Sequence, residues 1–258
     1  MKIQQVAAQL FTLRNAIKTP QDIAASMKRV REMGYQAVQV SGMGPIAEEE
    51  LMKILDGEGL TCCATHEGTQ RILEHPEEIV ERLDKLNCTY TAVPSPGGMP
   101  LGTADDVRAY VSAMDEAGKV LREGGKVLTY HNHHIEFMRI DGTLILDTIY
   151  DESDPRNLQG ELDTHWVQAG GGEPTAWCRK LKGRLPLLHL KDYGLDGDRN
   201  RVFKEIGYGN LHWETIIPAA EEAGCEWFIV EQDSNWTNDD PFESLRLSFE
   251  YIRDTLCS

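Results

Sequence analysis

Residues 126–137 read KVLTYHNHHIEF, and the way this stretch ends decides how the rest of the chain is placed. An apolar run with the length of a buried strand stops abruptly in His131, His133, His134 and Glu136, so three of the chain's eight histidines fall within four residues. Imidazoles beside a carboxylate are what a divalent cation or a proton-transfer step requires. A merely solvated histidine-rich loop would need no further polar residues near it. The other segments of the chain therefore have to be asked what they bring to the same place.

Runs of the same kind recur at residues 3–10, 37–40, 60–64, 88–93, 158–163, 185–190 and 226–231. Helical patterns separate them. Thr19 caps the first, with Pro20 at its first position and Ile23, Met27 and Val30 at helical spacing until Gly34. Further helices are expected over 48–55, 76–86, from the Thr103/Asp106 cap to Gly124, and over 144–150, 174–181, 211–223 and 241–256. Eight strands alternating with eight helices call for a parallel sheet covered by helices. The 258 residues suit a single eight-unit barrel of roughly 250 residues. An open doubly wound sheet could hold as many strands, but Asp163, His189 and Glu231 close their strands at the C-terminal end, as His66 and His131 do. Only a closed barrel makes those ends converge.

Composition narrows the partners. A formal net charge of -16 opposes a phosphate backbone, and no basic patch offsets it, so nucleic acid is not expected as a ligand. No apolar run approaches a membrane span of roughly 20 residues, and the opening MKIQQVAAQL lacks a signal-peptide pattern, which implies a cytoplasmic protein without a membrane partner. Self-association into a homo-oligomer stays open. The cysteines at 62, 63, 88, 178, 225 and 257 form no CxxC pair and read as small buried hydrophobes.

Alternation along a strand puts Leu187, His189 and Lys191 on one face, and likewise Ile229, Glu231 and Asp233, Asp163 and His165, and His131 and His133. If these faces look into the mouth of a barrel, four neighbouring strands offer imidazole, carboxylate, imidazole and carboxylate to one point. Such a mixed nitrogen and oxygen set suits Mn²⁺, Co²⁺, Zn²⁺ or Fe²⁺ and is a poorer match for Mg²⁺, which prefers oxygen.

The motifs YHNHHIEF (130–137), ELDTHW (161–166), LHLKDY (188–193), KEIGYGNLHWE (204–214) and VEQD (230–233) resemble those of the sugar phosphate isomerase/epimerase superfamily with its xylose isomerase-like TIM barrel. The resemblance runs nearly end to end and implies a single-domain (β/α)8 barrel over residues 1–258. It implies a divalent metal held from strands five to eight, with Asp163, His189 and Glu231 at matching positions, and a small sugar or polyol as substrate. In the epimerase branch the strand-five ligand is a glutamate that pairs with the strand-eight glutamate across the sugar. This chain departs there, and the fourth ligand is to be sought in His133, ranked first, in His131, or in Glu136 by folding back.

The expected chemistry is proton transfer next to a carbonyl, giving isomerisation or epimerisation, with Glu231 and His131 as the proton shuttles. Lys191 is a candidate to pin a substrate oxygen, with pairing to Glu205 or Asp233 as its purely structural alternative. His66, His165, Trp166 and Glu205 are candidate substrate-side residues, although a packed loop histidine and a core tryptophan are the plainer uses of those types. Rival readings are a metal-dependent lyase or dehydratase of a keto-sugar or inosose, an endonuclease IV-like repair enzyme, and a non-catalytic sugar-binding barrel.

Overall fold

A computed structural model describes residues 1–257. The apolar runs form eight parallel strands: β1 (Val6–Gln9), β2 (Ala37–Val40), β3 (Thr61–His66), β4 (Tyr90–Val93), β5 (Val127–His131), β6 (Leu158–Asp163), β7 (Leu187–Leu190) and β8 (Trp227–Val230). Each pairs with the next, and β1 pairs with β8 with Val6 opposite Phe228, so the sheet closes on itself into the expected TIM barrel. The helices lie outside it, and no helix among the described residues is long and apolar enough to cross a membrane. The cysteines are free thiols, buried at positions 62, 63, 88, 178 and 225.

The first helix shows why the local signals were readable. Thr19 Oγ1 accepts from the Asp22 backbone N–H at 3.2 Å while the Asp22 carboxylate accepts the Thr19 N–H at 3.1 Å, and Pro20 occupies the first position of Pro20–Met33. A cap of this kind contributes about 0.5–2 kcal/mol. Gly34 ends the helix in the left-handed region at φ 112°, and a Cβ there would lie 2.4 Å from the Phe249 ring of the last helix, Pro241–Tyr251. Next to it Tyr35 Oη donates to the Leu245 carbonyl at 2.9 Å. The first and last helices thus meet over the β1–β8 seam.

Inside the barrel the side chains sort by height. Ala7, Ala37, Cys63, Ala64, Tyr90, Leu187 and Ile229 form an apolar floor. Two residues further along their strands come Gln9, Gln39, His66, His189 and Glu231, and on β6 Glu161 precedes Asp163 by two, opposite Leu187 in the register. The apolar floor separates this polar layer from the N-terminal end of the barrel.

Several connections differ from expectation. Short helices Thr69–Glu74 and Thr164–Ala169 follow β3 and β6 where loops were expected, too short for a periodic pattern to show. The polar stretch after β7 is a hairpin of Asp192–Leu195 with Arg201–Lys204, whose half-exposed strands lack an apolar signature. The final helix ends at Tyr251 and continues as one π-turn, Ile252–Leu256.

Asp192 fixes this side of the mouth. Its Oδ1 accepts from the backbone N–H of Tyr193 at 2.7 Å and of Leu211 at 3.2 Å. Its Oδ2 accepts from Gly207 N at 2.9 Å, Gly209 N at 3.2 Å and Trp213 Nε1 at 2.9 Å. Burial raises the pKa of its carboxyl, and the Trp213 donor opposes that shift. A Cβ on Gly209 would lie 2.3 Å from Asp192 Oδ1, so the backbone reaches the carboxylate only because the residue is glycine. Asp192→Ala strands these buried donors and is expected to lower stability by roughly 3 kcal/mol, read as a lower urea midpoint at unchanged slope; a loss within 0.5 kcal/mol, the scale of an ordinary surface change, would remove the carboxylate from this role.

Candidate metal centre

The strand ends converge. His131, Asp163, His189 and Glu231, from β5, β6, β7 and the residue after β8, each present one ligand atom, and these atoms lie within 4.8 Å of one another. That span matches a single cation bridging them with bonds of roughly 2.0–2.6 Å. All four residues are buried. Asp163 divides its carboxylate: Oδ1 caps the following short helix by accepting the Trp166 N–H at 2.9 Å, and Oδ2 is buried without a hydrogen bond. His131 Nδ1 is likewise buried without one. Two imidazoles and two carboxylates with unused buried lone pairs are a fitting donor set for a divalent metal.

Positive charge beside the carboxylates opposes the effect of burial, with different outcomes for Glu231 and Asp163. Lys191 Nζ lies 2.9 Å from Glu231 Oε2, 2.8 Å from Asp233 Oδ2 and 3.4 Å from Asp163 Oδ2. Burial alone would raise the Glu231 pKa, but Lys191 and His189 bring it well below the carboxylate range. For Asp163 burial prevails over the same two cations and lifts the pKa to about 7. Burial would lower His189, yet Glu161 on one side and Glu231 on the other raise it to about 10.

A second layer lies immediately below. His66, His131, Glu161 and His189 also bring ligand-type atoms within 4.8 Å of one another. Here the centre is Glu161, whose Oε1 is 2.5 Å from His66 Nε2, 3.0 Å from His189 Nε2 and 3.3 Å from His131 Nδ1. Its Oε2 accepts from Gln39 Nε2 at 2.6 Å. Burial would push the Glu161 pKa up; His66 and His189 pull it well below the usual range.

Above the ligand atoms opens a cavity of about 280 Å³, lined among others by Phe11, Ser41, His66, His131, His133, Lys191 and Glu231. His66 is thus in the cavity wall. Other sequence assignments change. His133 stands outside the four-residue group and lines the cavity instead, its Nδ1 buried and unbonded, while His131 takes the place expected of it. The reason is the strand end: β5 runs through His131, and the chain then turns away. Glu136 does not fold back to the centre, because Tyr130 Oη at 2.7 Å and the His133 N–H at 2.8 Å occupy its two oxygens.

Glu205 ties loops together rather than facing substrate. It accepts from Ser244 Oγ at 2.6 Å and Thr237 Oγ1 at 2.9 Å, and Lys191 pairs with Asp233 instead of with it. His165 gives its Nδ1 to the Asp192 carbonyl at 2.8 Å and stacks on Phe203, with ring centroids 4.2 Å apart. Trp166 packs against His133 and His134, and Lys191 Nζ sits 5.3 Å from its ring, so it backs the site as a wall. Glu161, Gln39 and Gln9 were missed. Glu161 precedes Asp163 by two residues in one strand and so shares its face, and Gln39 is the sole polar residue of the run AVQV; both signals were present.

Against known proteins, the xylose isomerase-like TIM barrel family matches residues 27–255. The chain belongs to that family. An inosose dehydratase of Geobacillus thermodenitrificans is 25% identical over 171 residues, 60% of this chain and 57% of its own length. The chain thus spans little more than half of the curated relatives it matches. A sugar phosphate isomerase/epimerase from Parabacteroides distasonis superposes with a TM-score of 0.84 over 99% of this chain and 95% of its own, at 22% identity. A xylose isomerase-like barrel from Mycobacterium smegmatis, solved with magnesium, gives 0.72 over 98% and 96%, at 15% identity. At such identities the structural likeness speaks for the fold.

Cation binding requires His189 and Asp163 unprotonated, which sets a pH dependence. With these groups near 10 and 7, affinity should fall about tenfold per pH unit on going down toward 7 and about a hundredfold per unit below it, as one and then two protons compete. Chelator competition with Zn²⁺ between about pH 6 and 9 measures the slope. A flat profile would mean that these side chains are not the ligands.

Proposed function

We propose that the protein is a metal-dependent enzyme that moves a proton next to a carbonyl of a small sugar or polyol, completing an isomerisation or epimerisation. The observation that carries this reading is the convergence of His131, Asp163, His189 and Glu231 at the floor of a cavity also lined by Lys191 and His133. A divalent cation held by those four residues, with Mn²⁺, Co²⁺, Zn²⁺ or Fe²⁺ the better match to the donors, would supply Lewis-acid polarisation of the carbonyl.

The chain's own groups do the rest. Lys191 keeps its proton, since its three carboxylate neighbours raise its pKa despite burial, and its ammonium stabilises negative charge developing on the substrate oxygen. Glu231 is ionised at neutral pH and is the first candidate to take the proton from the adjacent carbon. Burial and the nearby Lys191 lower His133 to about 4, so it is neutral at pH 7; its free Nδ1 can take a proton from solvent entering the cavity and deliver it at the other carbon or face, while the proton taken by Glu231 passes to solvent. The two strand-five histidines thereby exchange the roles read for them from sequence, His131 as ligand and His133 as proton carrier.

A second reading is β-elimination of water from a keto-sugar or inosose. It is favoured by an imidazole where an epimerase has its second carboxylate, and by the inosose dehydratase relatives. Both readings begin with the same proton abstraction and part at the fate of the substrate's β-oxygen.

Two measurements test this. Incubation of the metal-loaded protein with ketoses and inososes in D₂O should put deuterium on a carbon next to the carbonyl. Retained oxygen count indicates isomerisation or epimerisation and loss of water indicates the lyase, while no incorporation and no product across the panel would leave a binding barrel. In the second, His133→Ala should keep its metal stoichiometry and lose about a hundredfold or more in turnover, and His131→Ala should lose the metal. The opposite pattern would restore the roles read from sequence.

A further inference from the structure

The polar layer beneath the metal centre has a direction. The backbone N–H of Phe11 can only donate, and it points at Gln9 Oε1 at 3.1 Å, which turns the Gln9 amide so that its Nε2 donates to Gln39 Oε1 at 2.7 Å. With its Oε1 accepting from Gln9, Gln39 presents its Nε2 to Glu161 and donates to Oε2, 2.6 Å away. The chain of donors from Phe11 thus orients Gln39, amide toward Glu161 and carbonyl oxygen toward His189. That oxygen lies 2.7 Å from His189 Nε2, and Glu161 Oε1 lies 3.0 Å from the same nitrogen. The Gln39 oxygen has no proton to give. His189 must bring its own on Nε2, so Nδ1, 3.0 Å from Glu231 Oε2 and 3.8 Å from Asp163 Oδ2, is the nitrogen that would give up its proton to a cation held by those carboxylates.

We infer that Gln39 and Glu161 are positioning residues that fix the Nε2–H tautomer of His189, and so dedicate its Nδ1 to the metal. The inference rests on the metal reading above. It assigns a task to buried polar groups, Gln9, Gln39 and Glu161, that neither touch the cavity nor belong to the four-residue ligand group. The same carboxylate oxygen fixes His66 through the 2.5 Å contact at its Nε2. Oε1 is then filled by two donors, in keeping with the absence of a hydrogen bond at His131 Nδ1. Outer partners of this type hold a ligand's ring orientation and protonation, and their loss typically costs 10–100-fold in metal affinity.

Glu161→Gln reverses the polarity at one atom. Its amide oxygen goes on accepting from Gln39, so its NH₂ stands where Oε1 stood, facing two Nε2–H groups as a donor. Gln39→Leu removes the acceptor in direct contact with His189. The test is nitrogen-15 NMR of the imidazoles in the full-length Zn²⁺-loaded chain, together with Zn²⁺ affinity by chelator competition. Wild type should show His189 protonated at Nε2 with Nδ1 on the metal. Both variants should bind Zn²⁺ about 10–100-fold more weakly, with His189 in the other tautomer or a mixture in Glu161→Gln. Wild-type His189 protonated at Nδ1, or variants with unchanged affinity and tautomer, would overturn the inference, and the wild-type spectrum decides it even if a variant fails to fold. A wild type that takes up no Zn²⁺ would sink the metal reading separately. The metal-free proteins then decide whether Gln39 holds the Nε2 proton: faster solvent exchange of the His189 Nε2 proton in Gln39→Leu than in wild type supports the inference, and equal exchange overturns it.

Discussion

A carboxylate sealed in the axis of a barrel is costly unless positive partners and donors surround it, and the interior of this protein is arranged around that constraint at Glu161. Three imidazoles and one amide converge on its two oxygens. Removing the charge would leave His189 with Glu231 alone as its anionic hydrogen-bond partner and would leave the Gln39 amide without an acceptor. A buried ionic group of this kind contributes little net stability beside an apolar replacement. What it specifies is orientation: His66 and His189 each turn Nε2 toward it, and so does the Gln39 amide. The upper layer inherits that order, because His189 belongs to both.

The fold makes the arrangement possible through two simple periodicities. Alternation along each strand sends every second side chain inward, and parallel closure brings the C-terminal ends to one rim. Small residues at the floor, Ala7, Ala37 and Ala64, leave room for long polar side chains above them. The loops complete the site by consuming polar groups that would otherwise compete for it. Asp192 gathers the backbone of the loop after the β7 hairpin, Glu136 holds the turn after β5, and Glu205 ties the loop after β8 to the last helix. Their carboxylates are committed elsewhere, so the centre is left to His131, Asp163, His189 and Glu231.

Much of this was legible in the residues, for reasons that differ from place to place. The strands and long helices announced themselves by apolar period and by caps such as Thr19 with Asp22, which act through neighbours in sequence. Asp163, His189 and Glu231 could be placed because each ends a strand. His133 and His131 could not be told apart, since alternation gives both the same face and only the turn beyond β5 decides which remains in the barrel. Glu136 and Glu205 look like site carboxylates in the sequence because nothing local reveals that Tyr130 or Ser244 will claim them. Glu161 shares a strand face with Asp163 two residues on, but it does not end its strand, and only the closed barrel shows that it lies one layer beneath the rim.

The seam between β1 and β8 has a temporal meaning as well as a spatial one. Val6 pairs with Phe228, and the helix after β1 docks through Gly34 and Tyr35 on residues 245 and 249, so almost the whole chain lies between the partners of this one junction. A growing chain carries β1 with one side unpaired throughout, an open apolar edge of the kind that invites mispairing, until β8 and the last helix exist to cover it. Gln39 on β2 and His189 on β7 sit on opposite flanks of that junction, and their contact needs the ring shut. The site is thus assembled at the moment the barrel closes, and a chain stalled short of β8 has its histidines but no centre.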